Sequence, residues 1–149
     1  MNKRTITLEH NGETYAGEIM KICETSLGYE DRGIATFFLH CEGNGGGIGV
    51  GGTCLDTNAK HAPEGTPDLG RGEEARIGTA YGLDAVLQVL DTAGARTWEG
   101  LPGRHIVVLY KGTAGWGGMS VGFSNLNDPD KVLIFKDHAD QWINKEDKP

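Results

Sequence analysis

From Thr5 to Leu55 the chain is a succession of strand-forming runs joined by glycine-containing turns, with no helical periodicity among them. Thr5-Ile6-Thr7-Leu8-Glu9 alternates, Asn11-Gly12 is the dipeptide a two-residue hairpin turn demands, and Thr14 to Thr25 resumes as a long strand. A second hairpin follows, from Ile34 through Cys41, around the glycine cluster Gly43 to Gly47, and back along Ile48 to Leu55. Strands joined this closely leave no room for crossover helices and pair antiparallel.

Glycine makes up 24 of the 149 residues, more than twice its ordinary share, so its positions need a geometric reason. In the returning strand Gly47, Gly49 and Gly51 leave one face nearly bare, while Ile48 and Val50 point to the other. The best helical pattern comes later: Ala80, Leu83, Leu87 and Leu90 form one stripe, with Val86 and Ala93 beside it. Thr79 suits its N-cap, and Gly94 followed by Ala95 suits a Schellman stop. Gly78 and Gly82 add a strip without side chains, and the expectation is that it lets the helix lie against the glycine face of the strand. Between these elements, Asp56 to Gly72 is polar and aperiodic and reads as a long exposed loop.

Trp98 to Gly103 reads as a tight connection, and Arg104 to Lys111, apolar on both faces, as a central strand. Gly112 to Gly118 is a glycine-rich loop carrying Trp116, and Met119, Val121 and Phe123 then share a strand face. Asn127-Asp128-Pro129-Asp130 turns into a strand from Val132 to Phe135, and Asp137 caps a short helix through Trp142. Runs of strands without βαβ alternation predict one α+β domain over residues 1–143: a mostly antiparallel sheet built from hairpins, one main helix packed on it and a short C-terminal helix. Residues 144–149 are expected to fray.

A net charge of -7 argues against a nonspecific nucleic-acid binder, which needs a basic stripe to release counterions. The basic N-terminal residues Lys3 and Arg4 are not followed by the apolar run of a signal peptide, and no stretch reaches membrane-spanning length. Three irregularly spaced cysteines fit a reducing cytoplasm better than a disulfide framework.

No motif names a reaction, and no catalytic residue, cofactor or metal is expected. His40, Cys41, Cys54 and His61 offer zinc-type atoms, but the register of the second hairpin puts Cys41 and Cys54 on the order of 20 Å apart along the ladder. The run Gly43 to Gly49 lacks the Gly-Lys-Ser/Thr continuation of a phosphate loop and leads into a strand. Glu30, Asp31, Asp56, Asp84 and Glu99 could supply paired carboxylates only if some of them converge. Cys23, Cys41 and Cys54 all fall in strands and are expected to be buried and inert.

The stronger candidates form a binding set. Leu27-Gly28-Tyr29-Glu30-Asp31-Arg32-Gly33-Ile34 places three consecutive charges between glycines, as on a loop or sharp strand crossing, and makes Tyr29, Glu30, Asp31 and Arg32 a candidate recognition surface. The alternative is a self-contained turn in which Arg32 pairs with Glu30. Arg76, Tyr81 and Trp116 join Tyr29 and Arg32 at loops or loop–helix junctions, where rings and guanidinium groups can hold a planar, anionic ligand. Against this, Tyr81 could belong to the core and the arginines could pair with neighbouring carboxylates.

Four segments, Leu27-Gly-Tyr-Glu-Asp-Arg-Gly-Ile34, Cys54-Leu55-Asp56, Arg76-Ile-Gly-Thr-Ala-Tyr-Gly-Leu83 and Trp98-Glu-Gly-Leu-Pro-Gly103, resemble in their order a family of small phage and prophage accessory proteins of unknown function. The resemblance spans residues 14–110 and implies no activity. It does imply a setting, the cytoplasm of a host cell, and a class of role: a nonenzymatic, counter-defence binding protein that sequesters a small anionic nucleotide-like signal or blocks a host protein. A small hydrolase using Glu30 and Asp31, or a structural or replication accessory protein, is the alternative; a homo-oligomer is compatible with any of these.

Overall fold

The computed structural model describes residues 5–31, 33–43, 46–58, 76–111 and 119–146. Strand β1 (Thr5–His10) turns through Asn11 and Gly12, both with positive φ, into β2 (Glu13–Asp31), so the Asn-Gly signal makes the tight hairpin it predicts. β3 (Ile34–Gly43) and β4 (Gly46–Cys54) form the second hairpin, with Gly43 opposite Gly46 and Thr36 opposite Cys54. β5 (Asp56–Asn58) pairs with β6 (Arg76–Gly78) as a separate two-stranded sheet. Helix α1 (Ala80–Ala93), β7 (His105–Lys111), β8 (Ser120–Asn125), β9 (Val132–Ile134) and α2 (Phe135–Glu146) complete the described chain. The expected α+β architecture with a mostly antiparallel sheet is what forms.

The main sheet runs β4-β3-β2-β7-β8-β9, with β1 also paired to β2. β2 can serve so many partners because it is 19 residues long: its first part pairs with β1 and β7, and its second part with β3. The change of partner coincides with a register shift between Ile22 and Glu24, which leaves Cys23 as an extra residue. β4 and β8, with three strands between them in the sheet order, nevertheless touch, and α1 touches both, so the sheet curls around the helix. Inside the curl lie Ile22, Phe37, Leu39, Val50, Val89, Leu101, Ile106, Val108 and Phe123, all essentially inaccessible. A smaller cluster of Tyr15, Val107, Leu109 and Ile134 covers the reverse face, so β7 is buried on both sides as its apolar sequence predicts.

Both helix caps form as expected. Thr79 Oγ1 accepts from Gly82 N–H at 2.8 Å, and at the other end Gly94 takes a left-handed conformation while Ala95 N–H bonds the Leu90 carbonyl at 2.9 Å. The buried stripe is not the expected one. Gly82, Ala85, Val89, Thr92 and Ala93 face the core, whereas Leu83 and Leu87 are 63% and 51% exposed. The helix is rotated because Gly82 lies directly against the backbone of Leu55, an approach only a residue without a side chain permits. The glycine of the helix therefore meets the residue that joins β4 to β5, not the glycine face of β4. Gly47 and Gly49 lie instead beside Glu42 and Phe38 on the outer side, and nothing lies within 4 Å of a Cβ on Gly78.

Other expectations shift as well. Asp56 to Asn58 is a strand, not loop; the remainder of the expected loop lies outside the described residues, as do Gly112 to Gly118 with Trp116. Val121 and Phe123 do not share a face, because an irregularity where Leu109 and Tyr110 pair with β8 turns Val121 toward the reverse cluster. α2 begins at Phe135, so Asp137 sits in its first turn and does not cap it, and the helix continues past Trp142 to Glu146. Of the cysteines only Cys41 is buried. Cys23 is exposed at the irregularity in β2 and Cys54 at the end of β4, where the chain leaves the sheet.

Candidate functional site

The site is built where the chain leaves β4. Leu55 N–H bonds the Ala35 carbonyl at 2.8 Å, and the Leu55 carbonyl accepts from Thr79 N–H at 3.1 Å and Thr79 Oγ1 at 3.0 Å. One residue thus ties β3 to the first turn of α1. Asp56 follows with its side chain 2% exposed; its Oδ2 accepts from Ala35 N–H at 3.2 Å, and its Oδ1 forms an ion pair with Arg76 Nη2 at 2.9 Å. Cys54 Sγ donates to the Asp56 carbonyl at 3.1 Å and lies 3.7 Å from Arg76 Nη2. Spacing of two along an extended chain brings Cys54 and Asp56 to one side, and the β5–β6 pairing delivers Arg76 to them.

Burial alone would raise the Asp56 pKa, but hydrogen bonds from Arg76, from Ala35 N–H and from the Cys54 thiol outweigh it, and the carboxyl is held below its usual range. Asp56 is therefore ionised at neutral pH and a weak proton acceptor. All the bonds Arg76 makes to Asp56 and Cys54 come from Nη2; its Nε has no hydrogen-bond partner among the described residues.

The facing wall comes from the two helices. Tyr81, in the first turn of α1, stacks on His138 of α2 with ring centroids 5.2 Å apart and meets Trp142 edge-on at 6.3 Å. His138 and Trp142, four residues apart on one face of α2, both reach Asp84 Oδ2, at 2.7 Å from His138 Nε2 and 3.2 Å from Trp142 Nε1. Asp84 thereby fixes the ring of Trp142 and locks α2 onto α1. Burial, and to a lesser degree the Cys54 sulfur, raises the Tyr81 hydroxyl above its usual pKa. Between the walls is an open groove of about 600 Å³, lined on the polar side by Cys54, Asp56 and Thr57 and on the other by Tyr81, Trp142 and Ile143.

Of the residues singled out in the sequence, Tyr81 lines the groove, and Arg76 bonds two residues that line it, Cys54 and Asp56. Tyr29 lies near the far end of β2, 60% exposed, and does not line the groove. The backbone of Glu30 and Asp31 continues β2, and Asp31 pairs with Ile34 where the chain crosses into β3. The side chains of Glu30 and Asp31, and all of Arg32 and Trp116, lie outside the described residues. His138 and Trp142 are not among the sequence candidates, and Cys54, Asp56 and Asp84 stand there only as thiol, metal or carboxylate candidates outside the binding set. The i, i+4 pair of His138 and Trp142 on a short helix was the available signal. Among the described residues no three His, Cys, Asp or Glu side chains converge as a metal site would require, and no helix is long and apolar enough to cross a membrane. Compared with protein-family models, with curated proteins and with solved structures, the chain gives no match.

Proposed function

We propose that this chain is a nonenzymatic binding protein that holds a small, planar, anionic, nucleotide-like molecule in the groove between the β5–β6 pair and the two helices. The observation that carries the reading is the division of the groove into two ends. Tyr81, Trp142 and Ile143 offer an apolar, partly aromatic wall on which a planar ring can lie, and Cys54, Asp56 and Thr57 form the polar end; Arg76, 27% exposed, does not line the groove itself but is ion-paired to Asp56, which does. A groove that is mostly apolar with a few fixed polar groups is the usual form of a small-molecule site.

Binding without turnover fits the chemistry of the carboxylates better than the hydrolase alternative. Asp56 is neutralised by Arg76 and too weakly basic to take a proton readily. Asp84 is directed at His138 and Trp142, and neither Asp84 nor His138 lines the groove. In the phage setting that the sequence resemblance implies, sequestering a nucleotide signal is a counter-defence role.

Mass spectrometry of the protein purified from cells and then denatured is the test. Release of a nucleotide-like small molecule at close to one per chain, absent when Ile143 is replaced by Glu on the groove wall, is the expected result. Protein that carries no such molecule and binds none from a panel of mono-, di- and cyclic dinucleotides would contradict the reading.

A further inference from the structure

The clearest helical pattern in the sequence faces away from the core. Ala80, Leu83, Leu87 and Leu90 follow one another along α1 at steps of three, four and three residues, the spacing of a seam between two packed helices. Because the contact of Gly82 with Leu55 sets the rotation of the helix, the middle of this seam points outward. Leu83 is 63% and Leu87 51% exposed, Ala80 is exposed, and Leu90 and Val86 are half-buried along the inner margin.

The charges of the helix select what covers the seam. α1 holds two charged residues, Asp84 and Asp91, and no basic one. Asp84 is engaged by His138 and Trp142 of α2, whereas the Asp91 side chain is 74% exposed at the C-terminal end. At the N-terminal end the first turn contains no acidic residue to meet the positive pole of the helix dipole. Two α1 helices laid antiparallel about a two-fold axis midway between Leu83 and Leu87 set Leu83 of each against Leu87 of the other and small Ala80 against larger Leu90. The same axis brings Asp91 of each copy to Thr79 at the N-terminus of the other, where it supplies the acid that the first turn lacks. A parallel pairing would instead bring the two Asp91 carboxylates together.

We propose that the outward seam of α1 joins two copies of this chain in an antiparallel, two-fold contact. The seam is self-complementary in shape and in charge, as a two-fold interface must be. A helix of 14 residues is about 21 Å long, so this contact alone is smaller than the roughly 800 Å² per partner of a standard stable interface, and the dimer dissociates on dilution. The proposal does not rest on the ligand groove and stands whether or not the groove binds a nucleotide.

Sedimentation equilibrium of the full chain over a concentration series from micromolar to millimolar tests it. The chain is expected to pass reversibly from monomer to dimer. Leu83→Glu and Leu87→Glu, at exposed positions, are expected to leave the melting temperature nearly unchanged and to weaken association at least tenfold, because each would bury an unpaired charge in the contact. Disulfide crosslinking reads the register independently: with Cys23 and Cys54 replaced by serine, an equal mixture of the Leu83→Cys and Leu87→Cys variants is expected to crosslink in air faster than either variant does with itself. The proposal is overturned if the chain stays monomeric throughout, if both glutamate variants dimerise as the wild type does, or if each cysteine variant crosslinks with itself as fast as the mixture.

Discussion

Gly82 rests against the backbone of Leu55 so closely that a Cβ built on it would overlap the Leu55 carbonyl oxygen and come within 2.6 Å of the Leu55 Cα. This contact sets the rotation of α1, places Tyr81 on the groove and leaves Leu83 and Leu87 outside the core.

Replacing Gly82 by Ala pits two effects against each other. Alanine in a helix interior is favoured over glycine by about 1 kcal/mol, but the clash is with backbone, which cannot rotate away. The clash should win, with a net loss of about 1–3 kcal/mol in urea unfolding. Gly78→Ala, where nothing lies within 4 Å of the added Cβ, should leave the melting temperature almost unchanged. Equal behaviour of the two variants would show that the helix can shift at no cost.

The legible and illegible parts of this fold divide by range. Asn11-Gly12, Thr79 and Gly94 act within a few residues of themselves, and each forms the turn or cap its chemistry dictates. The rotation of α1 depends on Leu55, distant in sequence, and a leucine stripe is the more apolar choice whenever that contact is unknown; propensity gives no warning that a glycine must face inward. The same holds at the site. Arg76 and Tyr81 stand out as residue types at loop boundaries, but Asp84 meets His138 across 54 positions of chain, and only packing of α2 on α1 brings them together. For the charged run, Gly28 and Gly33 left loop and strand crossing equally open, and only the pairing of Asp31 with Ile34 carries Glu30 and Asp31 into β2.

Asp56 should make stability depend on acid. Its pKa is lowered in the folded protein, while in the unfolded chain it sits near the ordinary value of about 3.9. The stabilisation is therefore complete above about pH 4 and disappears as the pH falls through the folded value. Wild type should lose stability more steeply below pH 4 than Asp56→Asn, which has no carboxylate to protonate there. Parallel unfolding curves for the two proteins between pH 5 and pH 2.5 would show that the ion pair with Arg76 contributes nothing.

The three thiols should react in two classes. Burial pushes Cys41 up to about 12, so in native protein at pH 8 a maleimide should modify exposed Cys23 and Cys54 within minutes and reach Cys41 only after unfolding. Peptide mapping by mass spectrometry reads this directly. Rapid native labelling of Cys41 would mean that the interior of the curled sheet opens.

Glu18 is a cost the sheet carries without return among the described residues. It is 1% exposed, and neither carboxylate oxygen has a hydrogen-bond partner there. Glu18→Met, similar in length and without the polar group, should stabilise the protein by about 1–3 kcal/mol in chemical denaturation. A destabilised variant would point to a partner for the carboxylate that the described residues do not supply.

Tryptophan fluorescence during titration with a panel of mono-, di- and cyclic dinucleotides tests the ligand groove most directly, because Trp142 forms part of its wall. At least one compound should change the emission, saturate at one per chain and be recovered chemically unchanged after overnight incubation. Trp142→Phe should lose the signal, and Tyr81→Ala and Ile143→Glu should weaken binding at least tenfold. A panel that produces no saturable change, a nucleotide that is consumed, or binding of full strength in Tyr81→Ala and Ile143→Glu would contradict a nonenzymatic nucleotide-binding groove.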